Sequence, residues 1–149
     1  MSKIEYTWEE LNNDTRKIAN WVKEVGFKPD GIVGIIRGGA VPAVILSHEL
    51  GCPVTLLNWS LRDGKVKDYR ELDKIAIAAS HGKRFLFIDD IVDSGATIKE
   101  IKDRAFDTKN NLLFTSLWYN PSQLNSRVHF WARIIDRSLD DRWVIFPYE

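Results

Sequence analysis

The feature that most constrains the fold of this chain is the apolar run Arg84–Ile88, which leads directly into the polar segment Asp89–Thr97. A short continuous apolar run is typical of a strand buried on both faces, as in a parallel sheet covered by helices. The glycine and the hydroxyl residues of the polar segment then open a helix, which we expect to reach about Phe106. This part of the chain therefore predicts a buried strand that delivers carboxylates to the start of a helix.

The rest of the chain alternates between strand and helix patterns. Thr7 and Glu10 form a capping-box pattern that opens a helix ending at Gly26, and a second helix is predicted over Val41–Leu50, before Gly51. Further strands are predicted at Gly31–Ile36, Pro53–Asn58, Leu112–Tyr119, Phe130–Ile135 and Trp143–Phe146. This alternation predicts one α/β domain over residues 1–149, with a mainly parallel twisted sheet flanked by helices and with ligands at the carboxyl ends of the strands.

One segment, Arg62–Lys74, is dominated by charged residues. It has no continuous apolar run that would indicate a buried element. We interpret it as a solvated loop or a mobile lid.

Composition narrows the partners that this chain can have. Its 21 Lys and Arg balance 21 Asp and Glu, which argues against a broad basic surface for nucleic acid or membranes, so an anionic ligand must be held by a local site. The single cysteine, Cys52, excludes an intrachain disulfide and a cysteine zinc site. No apolar run approaches the roughly 20 residues of a membrane span, and no signal-peptide pattern is found. We therefore expect a cytoplasmic protein with no nucleic-acid or membrane partner.

The polar segment Asp89–Thr97 carries the clearest chemical signal. A helix N-terminus with Ser94, Gly95 and Thr97 offers backbone N–H groups, hydroxyls and a positive dipole end to a phosphate. Asp89 and Asp90 supply hard oxygen atoms that suit sugar hydroxyls or Mg²⁺. A P-loop is excluded, because the glycines at 34 and 39 have its spacing but are followed by alanine instead of lysine. The segment predicts a site for a phosphorylated sugar.

At Ile88–Thr97 the sequence resembles the signature of the type I phosphoribosyltransferases, an apolar strand followed by Asp-Asp and a Ser/Thr-Gly-x-Thr loop. The resemblance extends in order along most of the chain to the small xanthine-guanine type enzymes of this family. The matching segments are Thr7-Trp8, Arg16-Lys17-Ile18-Ala19, Ile36-Arg37-Gly38-Gly39 with Val41-Pro42, Arg70-Glu71-Leu72, and Trp143 ahead of Phe146-Pro147-Tyr148.

The resemblance implies the type I phosphoribosyltransferase fold with a small hood, and a Mg²⁺-dependent enzyme of purine salvage. Such an enzyme transfers 5-phosphoribosyl from phosphoribosyl pyrophosphate to a purine of the hypoxanthine, guanine or xanthine type, giving a nucleoside 5-monophosphate and pyrophosphate. It also implies a homo-oligomer, a dimer or a tetramer. Two alternatives stay open: an enzyme for a pyrimidine or a modified base, and a non-catalytic regulator with the same fold that senses nucleotides.

The resemblance also implies roles for the residues that would bind the donor. Asp89 and Asp90 would bind the ribose hydroxyls and the metal, and Asp93 would assist deprotonation of the base. The remaining donor residues are Ser94, Gly95, Ala96 and Thr97 around the 5-phosphate, and Arg37, Gly38 and Gly39, with a non-proline cis peptide, around the pyrophosphate. A flexible hood at about residues 60–69 would close over the reactants, and Arg70 could then reach the pyrophosphate.

For the base, the resemblance is incomplete. Asn120, ahead of Pro121, replaces a lysine that binds the purine 6-oxo group in the xanthine-guanine type enzymes. An amide can donate or accept, so Asn120 weakens the case for a 6-oxopurine. Trp143 matches the aromatic residue that stacks on the purine, and the backbone of Val144 would meet the purine edge.

Overall fold

Strands and helices alternate along most of the chain, as the sequence predicts. The computed structural model describes residues 2–59 and 67–149. Its strands are β1 (Lys3–Glu5), β2 (Gly31–Ile36), β3 (Val54–Asn58), β4 (Phe85–Val92), β5 (Leu112–Tyr119), β6 (Phe130–Ile134) and β7 (Trp143–Ile145). Its helices are α1 (Trp8–Glu24), α2 (Ala40–Leu50), α3 (Tyr69–Ser80) and α4 (Ala96–Ala105).

Five of the strands form one sheet, in the order β3-β2-β4-β5-β6, and each neighbouring pair is parallel. One apolar core packs α1 and α2 against one face of this sheet, and a second core packs α3 and α4 against the other. Side chains of β4 alternate between the two, with Leu86 and Ile88 in the first core and Phe87 in the second. The predicted α/β architecture with a parallel sheet is confirmed.

The ends of the first two helices follow local sequence signals. The Thr7 side chain accepts a hydrogen bond from the Glu10 N–H (3.1 Å), and the Glu10 carboxylate accepts one from the Thr7 N–H (3.3 Å), so the predicted capping box is present. The chain leaves α2 at Gly51, whose φ of +66° lies in the left-handed region that glycine enters without steric cost.

The prediction of a loop or lid over Arg62–Lys74 is wrong for residues 69–74, which are helical. Helix α3 begins at Tyr69, and Asp68 caps it by accepting a hydrogen bond from the Glu71 N–H (3.0 Å). This helix buries the apolar residues Leu72, Ile75 and Ala79, whose spacing of three and four is helical but is surrounded by charged residues. Residues 60–66, which include most of the predicted hood, lie outside the described residues.

Strand β4 extends further than predicted, through Val92, so Asp89 and Asp90 belong to the strand itself. On one side its pairing with β2 ends at Ile88, whereas on the other its pairing with β5 continues to Val92. From β2 the chain passes to β3, and from β4 it passes to β5 in the opposite direction across the sheet. The strand order therefore reverses between β2 and β4, and open α/β sheets bind their ligands at such a crevice.

A separate two-stranded sheet joins distant parts of the chain. Strand β1, which no sequence pattern predicts, pairs in parallel with β7 and aligns Lys3 with Trp143.

In the part of the chain that the structure describes, no helix combines the length and the apolar character needed to cross a bilayer.

Candidate active site

A cavity of about 910 Å³ opens at the carboxyl ends of β2 and β4 and at the N-terminus of α4. It brings together ten of the residues predicted from the sequence: Arg37, Gly38, Asp89, Asp90, Asp93, Ser94, Gly95, Ala96, Thr97 and Trp143. A small adjoining cleft shares Asp90, Asp93 and Trp143 with the cavity and is also lined by Val144. Most of the predicted site residues thus meet in one place.

The start of α4 forms one wall of the cavity. Gly95 precedes the helix with a φ of +79°, and Ala96 donates a backbone hydrogen bond to Ser94 Oγ (3.3 Å). A neighbouring loop supports this turn, because Asn125 Nδ2 donates to the Ser94 carbonyl (2.8 Å). A Cβ on Gly95 would lie 2.3 Å from Oε1 of Gln123 in that loop. Glycine thus allows the close approach that holds the helix start, whose first-turn N–H groups have no partners within the helix.

Asp89 and Asp90 stand at the end of β4. Asp89 Oδ1 accepts a hydrogen bond from the Asp90 N–H (2.8 Å), and Asp90 Oδ1 accepts one from the Ile91 N–H (2.6 Å), so both carboxylates are oriented by the backbone. Residues 2–59 and 67–149 contain no group of three or more His, Cys, Asp or Glu that could hold a metal. Two adjacent carboxylates nevertheless fit Mg²⁺, which keeps several waters and takes further ligands from substrate phosphates.

The turn after β2 forms the opposite wall. The Ile36–Arg37 peptide bond is cis, as the resemblance implies. Gly38 lies so close to Asp90 that a Cβ would come within 2.1 Å of the Asp90 carboxylate. Gly39 does not line the cavity. Its N–H donates to the Ile35 carbonyl (2.8 Å), and a Cβ would lie 2.3 Å from the backbone oxygen of Ile88. Gly39 therefore has a packing role between β2 and β4.

Two further residues that line the cavity, Tyr148 and Glu149, are not among the site residues predicted from the sequence. The Tyr148 hydroxyl donates a hydrogen bond to the Gly38 carbonyl (2.6 Å). Burial raises the pKa of Tyr148, and the negative charges of Asp90 and Asp89 raise it further, so the hydroxyl remains a proton donor. No local pattern marks this contact, which joins residues 110 positions apart.

Asp93 lines both the cavity and the cleft, and it forms an ion pair with Arg137. Arg137 Nε lies 3.2 Å from each of the two carboxylate oxygens of Asp93. Arg137 also lines the cleft, and its Nη1 donates to the carbonyl of Arg142 (2.6 Å). Arg137 lies outside every motif that the sequence shows.

Asn120 does not line the cavity or the cleft. It is buried, and its Nδ2 donates to the Asp93 carbonyl (3.0 Å) while its Oδ1 accepts from the N–H groups of Ser122 (3.2 Å) and Arg137 (3.0 Å). The geometry thus gives no support to the predicted contact between Asn120 and a base. The residue instead joins the Asp93 turn to the segment that carries Arg137.

Arg70 also lies apart from the other predicted residues. It is exposed in the first turn of α3, and it does not line the cavity formed by the described residues. Trp143, by contrast, lines both the cavity and the cleft, and 46% of it is exposed.

Comparisons with known proteins agree with this geometry. A family model described as a phosphoribosyl transferase domain matches residues 7–147. A xanthine-guanine phosphoribosyltransferase of Gluconobacter oxydans is 30% identical over 147 residues, which cover 96% of this chain and 82% of that protein. The enzyme of the same name from Idiomarina loihiensis is 32% identical over 146 residues, covering 96% and 84%. A purine phosphoribosyltransferase crystal structure from Pyrococcus horikoshii has a similar fold, with a TM-score of 0.74 and 24% identity over 100% of this chain and 95% of that one.

Proposed function

This chain belongs to the phosphoribosyl transferase domain family, and we propose that it transfers 5-phosphoribosyl from phosphoribosyl pyrophosphate to a purine base in a Mg²⁺-dependent reaction. The products are a nucleoside 5-monophosphate and pyrophosphate. The observation that carries the proposal is the single cavity in which Arg37, the three aspartates of β4 and its following turn, and the N-terminus of α4 all meet.

The donor would bind along the wall formed by the end of β4 and the start of α4. Its 5-phosphate would accept hydrogen bonds from the Ser94–Thr97 turn, where the helix dipole also favours negative charge. Asp89 and Asp90 would accept hydrogen bonds from the ribose hydroxyls and hold Mg²⁺ together with donor oxygens. When bound, the metal supplies positive charge that stabilises the departing pyrophosphate.

The pyrophosphate would leave toward the turn after β2. The C1–O bond breaks as negative charge grows on the leaving group, and groups already placed around that charge lower the barrier. Arg37 would place a positively charged guanidinium beside the leaving pyrophosphate, and Gly38 would allow the backbone to approach the pyrophosphate closely. Tyr148 supports this turn, because its hydroxyl donates a hydrogen bond to the Gly38 carbonyl.

The base would attack C1 through a ring nitrogen, forming the new C1–N bond. The proton of that nitrogen would pass to the carboxylate of Asp93, which stands where the cavity and the cleft meet. Trp143 would pack against the ring of the base, and the backbone of Val144 would meet its edge.

A purine is the favoured acceptor because the two curated relatives named above are xanthine-guanine enzymes. The pyrimidine alternative was motivated by Asn120. This argument for a pyrimidine is weak, because both Nδ2 and Oδ1 of Asn120 form hydrogen bonds within the protein.

The direct test mixes the protein with phosphoribosyl pyrophosphate, Mg²⁺ and one base at a time: hypoxanthine, guanine, xanthine, adenine or uracil. Pyrophosphate release is followed continuously, and the nucleotide product is identified by mass spectrometry. We expect release with at least one 6-oxopurine and its loss when EDTA removes the metal. Absence of release with every base contradicts the enzyme, and release with uracil alone contradicts the purine acceptor.

The proposal places this activity in a single domain of a cytoplasmic homo-oligomer, a dimer or a tetramer. Leu56 on β3 and Ile134 on β6 are exposed apolar side chains at the two edges of the main sheet. Light scattering on the purified protein measures the oligomeric state directly.

A further inference from the structure

The loop between β5 and β6 packs against the Ser94–Gly95 turn, which leads into α4. Asn125 Nδ2 donates to the Ser94 carbonyl (2.8 Å), and a Cβ on Gly95 would overlap the side-chain amide of Gln123. Ser94 and Gly95 line the cavity, whereas Asn125 and Gln123 line neither the cavity nor the cleft. The two amide side chains can therefore affect a ligand only by holding the turn.

Gln123 fixes the shape of this loop. Its Oε1 accepts hydrogen bonds from the N–H groups of Asn125 (2.9 Å) and Ser126 (3.0 Å). Its Nε2 donates to the Tyr119 hydroxyl (3.3 Å) and to the Ser126 carbonyl. Both ends of the amide are thus used within the protein, and the backbone from residue 123 to residue 126 folds around it. Because Asn125 belongs to this stretch, Gln123 also determines where the side chain of Asn125 reaches.

The hydrogen bond from Asn125 sets the direction of a backbone donor. The peptide bonds of the turn are trans, and in a trans peptide the carbonyl and the N–H of the next residue point to opposite sides of the chain. The Ser94 carbonyl points toward Asn125, so the Gly95 N–H points away from the loop. Asn120 acts on the preceding peptide in the same way, because its Nδ2 donates to the Asp93 carbonyl (3.0 Å). Backbone N–H groups at a helix start are hydrogen-bond donors for phosphate.

We propose that Asn125 and Gln123 are positioning residues for the donor's 5-phosphate. Gln123 shapes the loop, and Asn125 then holds the turn so that the Gly95 N–H faces the cavity. A donor that is already held in place costs no further ordering when the anion binds. This inference rests on the proposed function, since it takes the Ser94–Thr97 turn as the site of the 5-phosphate.

The test measures two dissociation constants by calorimetry, one for ribose 5-phosphate and one for pyrophosphate with Mg²⁺, which would bind at the opposite wall. Asn125→Asp keeps the size of the side chain but replaces the amide donor by an oxygen that repels the Ser94 carbonyl. We expect the Kd for ribose 5-phosphate to rise by about tenfold or more and the Kd for pyrophosphate to stay within about twofold. Asn125→Ala only removes the hydrogen bond, so its Kd for ribose 5-phosphate should lie between those of wild type and the Asp variant.

Leu124→Asp is the control for charge. It adds the same charge to the neighbouring residue, which is 97% exposed. Its Kd for ribose 5-phosphate should stay within about twofold of the wild-type value, since salt and water screen an exposed charge. An equal rise in the Asp variants of Leu124 and Asn125 would overturn the proposal in favour of repulsion through space.

Gln123→Ala tests the shape of the loop. The variant leaves two backbone N–H groups without their acceptor, so the Kd for ribose 5-phosphate should rise by about tenfold. Asp107→Ala is the matched control, because Asp107 also accepts from two backbone N–H groups, those of Lys109 (3.2 Å) and Leu112 (2.9 Å), but precedes β5 instead of following it. Equal effects of the two alanine variants on ribose 5-phosphate would overturn the proposal in favour of general loosening. Equal effects of Gln123→Ala on both probes would do the same.

Pyrophosphate release from the donor, followed in parallel, separates this inference from the proposed function. If the Asn125 and Gln123 variants bind ribose 5-phosphate as expected but no base gives release, the enzyme is refuted and the positioning role stands. If a base gives release while the Kd for ribose 5-phosphate is the same in wild type and in these variants, the positioning role is overturned and the enzyme stands. A wild-type protein that does not bind ribose 5-phosphate also overturns the positioning role.

Discussion

The two sides of the cavity are assembled in different ways. The side proposed to bind the donor's phosphates, here called the phosphate side, consists mainly of the contiguous segment Asp89–Thr97, with the turn at Arg37 and Gly38 facing it. The side proposed to bind the base, here called the base side, consists of Arg137, Trp143 and Val144, which line the cleft with Asp93. Within Asp89–Thr97 neighbours in the chain are neighbours in space, whereas on the base side Asp93 pairs with Arg137, 44 positions away.

This difference shows where each side gets its rigidity. Backbone packing fixes the phosphate side, since the turn after β2 is so close to β4 that glycine is required at two positions. Side-chain hydrogen bonds fix the base side, through Asn120, Asp93 and Arg137. The phosphate side should therefore be intolerant of added volume, and the base side should be sensitive to loss of polar groups.

The largest effect is expected from Gly39→Ala. The new Cβ would lie 2.3 Å from the backbone oxygen of Ile88 and 2.8 Å from backbone atoms of Ile35, none of which can move without disturbing the sheet. We expect a loss of about 3 kcal/mol or more in the free energy of unfolding, measured by urea denaturation. The control is Gly26→Ala, which has open space but a φ of +73° and should cost about 1 kcal/mol. Equal losses in the two variants would contradict packing as the source of rigidity.

Asp93→Asn tests the residue that the two sides share. The amide keeps the size of the side chain but cannot take up the proton of the base, so kcat should fall by about 10²- to 10⁴-fold. Donor affinity, measured by calorimetry, should be close to that of wild type. Unchanged turnover would show that Asp93 has been given the wrong role.

A pair of asparagine variants tests the comparison itself. Asn120→Ala leaves the Asp93 carbonyl and the Arg137 N–H without their partner, which should cost about 1–3 kcal/mol in unfolding free energy and raise mainly the base KM. Asn125→Ala removes an exposed bond to the Ser94 carbonyl, so it should cost less than about 1 kcal/mol and raise mainly the donor KM. Steady-state kinetics with each substrate varied separately checks both. If both variants affect the same KM, the two sides do not behave as separate units.

A small effect is expected from Tyr148→Phe. The substitution removes the hydrogen bond to the Gly38 carbonyl but keeps the ring that stacks on Phe146. Unfolding free energy should fall by about 1 kcal/mol, and inhibition by pyrophosphate should weaken by a few-fold, roughly the worth of one neutral hydrogen bond. Ser80→Ala removes a similar hydrogen bond, from Ser80 Oγ to the Ile77 carbonyl (2.6 Å) at the end of α3, and is the control that should match wild type in pyrophosphate inhibition. Equal inhibition constants in the two variants would remove Tyr148 from the support of this turn.

Sequence reasoning succeeded where the signal is local. The capping box at Thr7, the left-handed glycine after α2 and the apolar strands are each set by a few consecutive residues, and the structure contains them. It failed for α3, because charged residues obscured the apolar stripe of Leu72, Ile75 and Ala79, and for β1, whose three residues are ordered by pairing with β7. Both failures concern elements that tertiary contacts stabilise.

The candidate site divides in the same way. The acidic residues and the small hydroxyl residues of Asp89–Thr97 could be predicted together, because a strand end and a helix start place consecutive residues around one point. The sequence predicts that Asn120 contacts the base, and in the structure its Oδ1 accepts hydrogen bonds from the N–H groups of Ser122 and Arg137. Nothing near Asn120 in the chain identifies Arg137 as a partner. Arg137 itself was missed for the same reason.

The sequence by itself determined the α/β class, the positions of the main strands along the chain and the grouping of Asp89–Thr97 at a strand end and a helix start, since apolar periodicity and short-range turns act over a few residues. Only the tertiary structure decided which polar groups meet across distances of 17 to 110 residues: Arg137 with Asn120, Arg137 with Asp93, and Tyr148 with Gly38. Such contacts arise when the sheet and the small β1–β7 sheet bring separate segments together. Their energies depend on burial and geometry that no local pattern encodes.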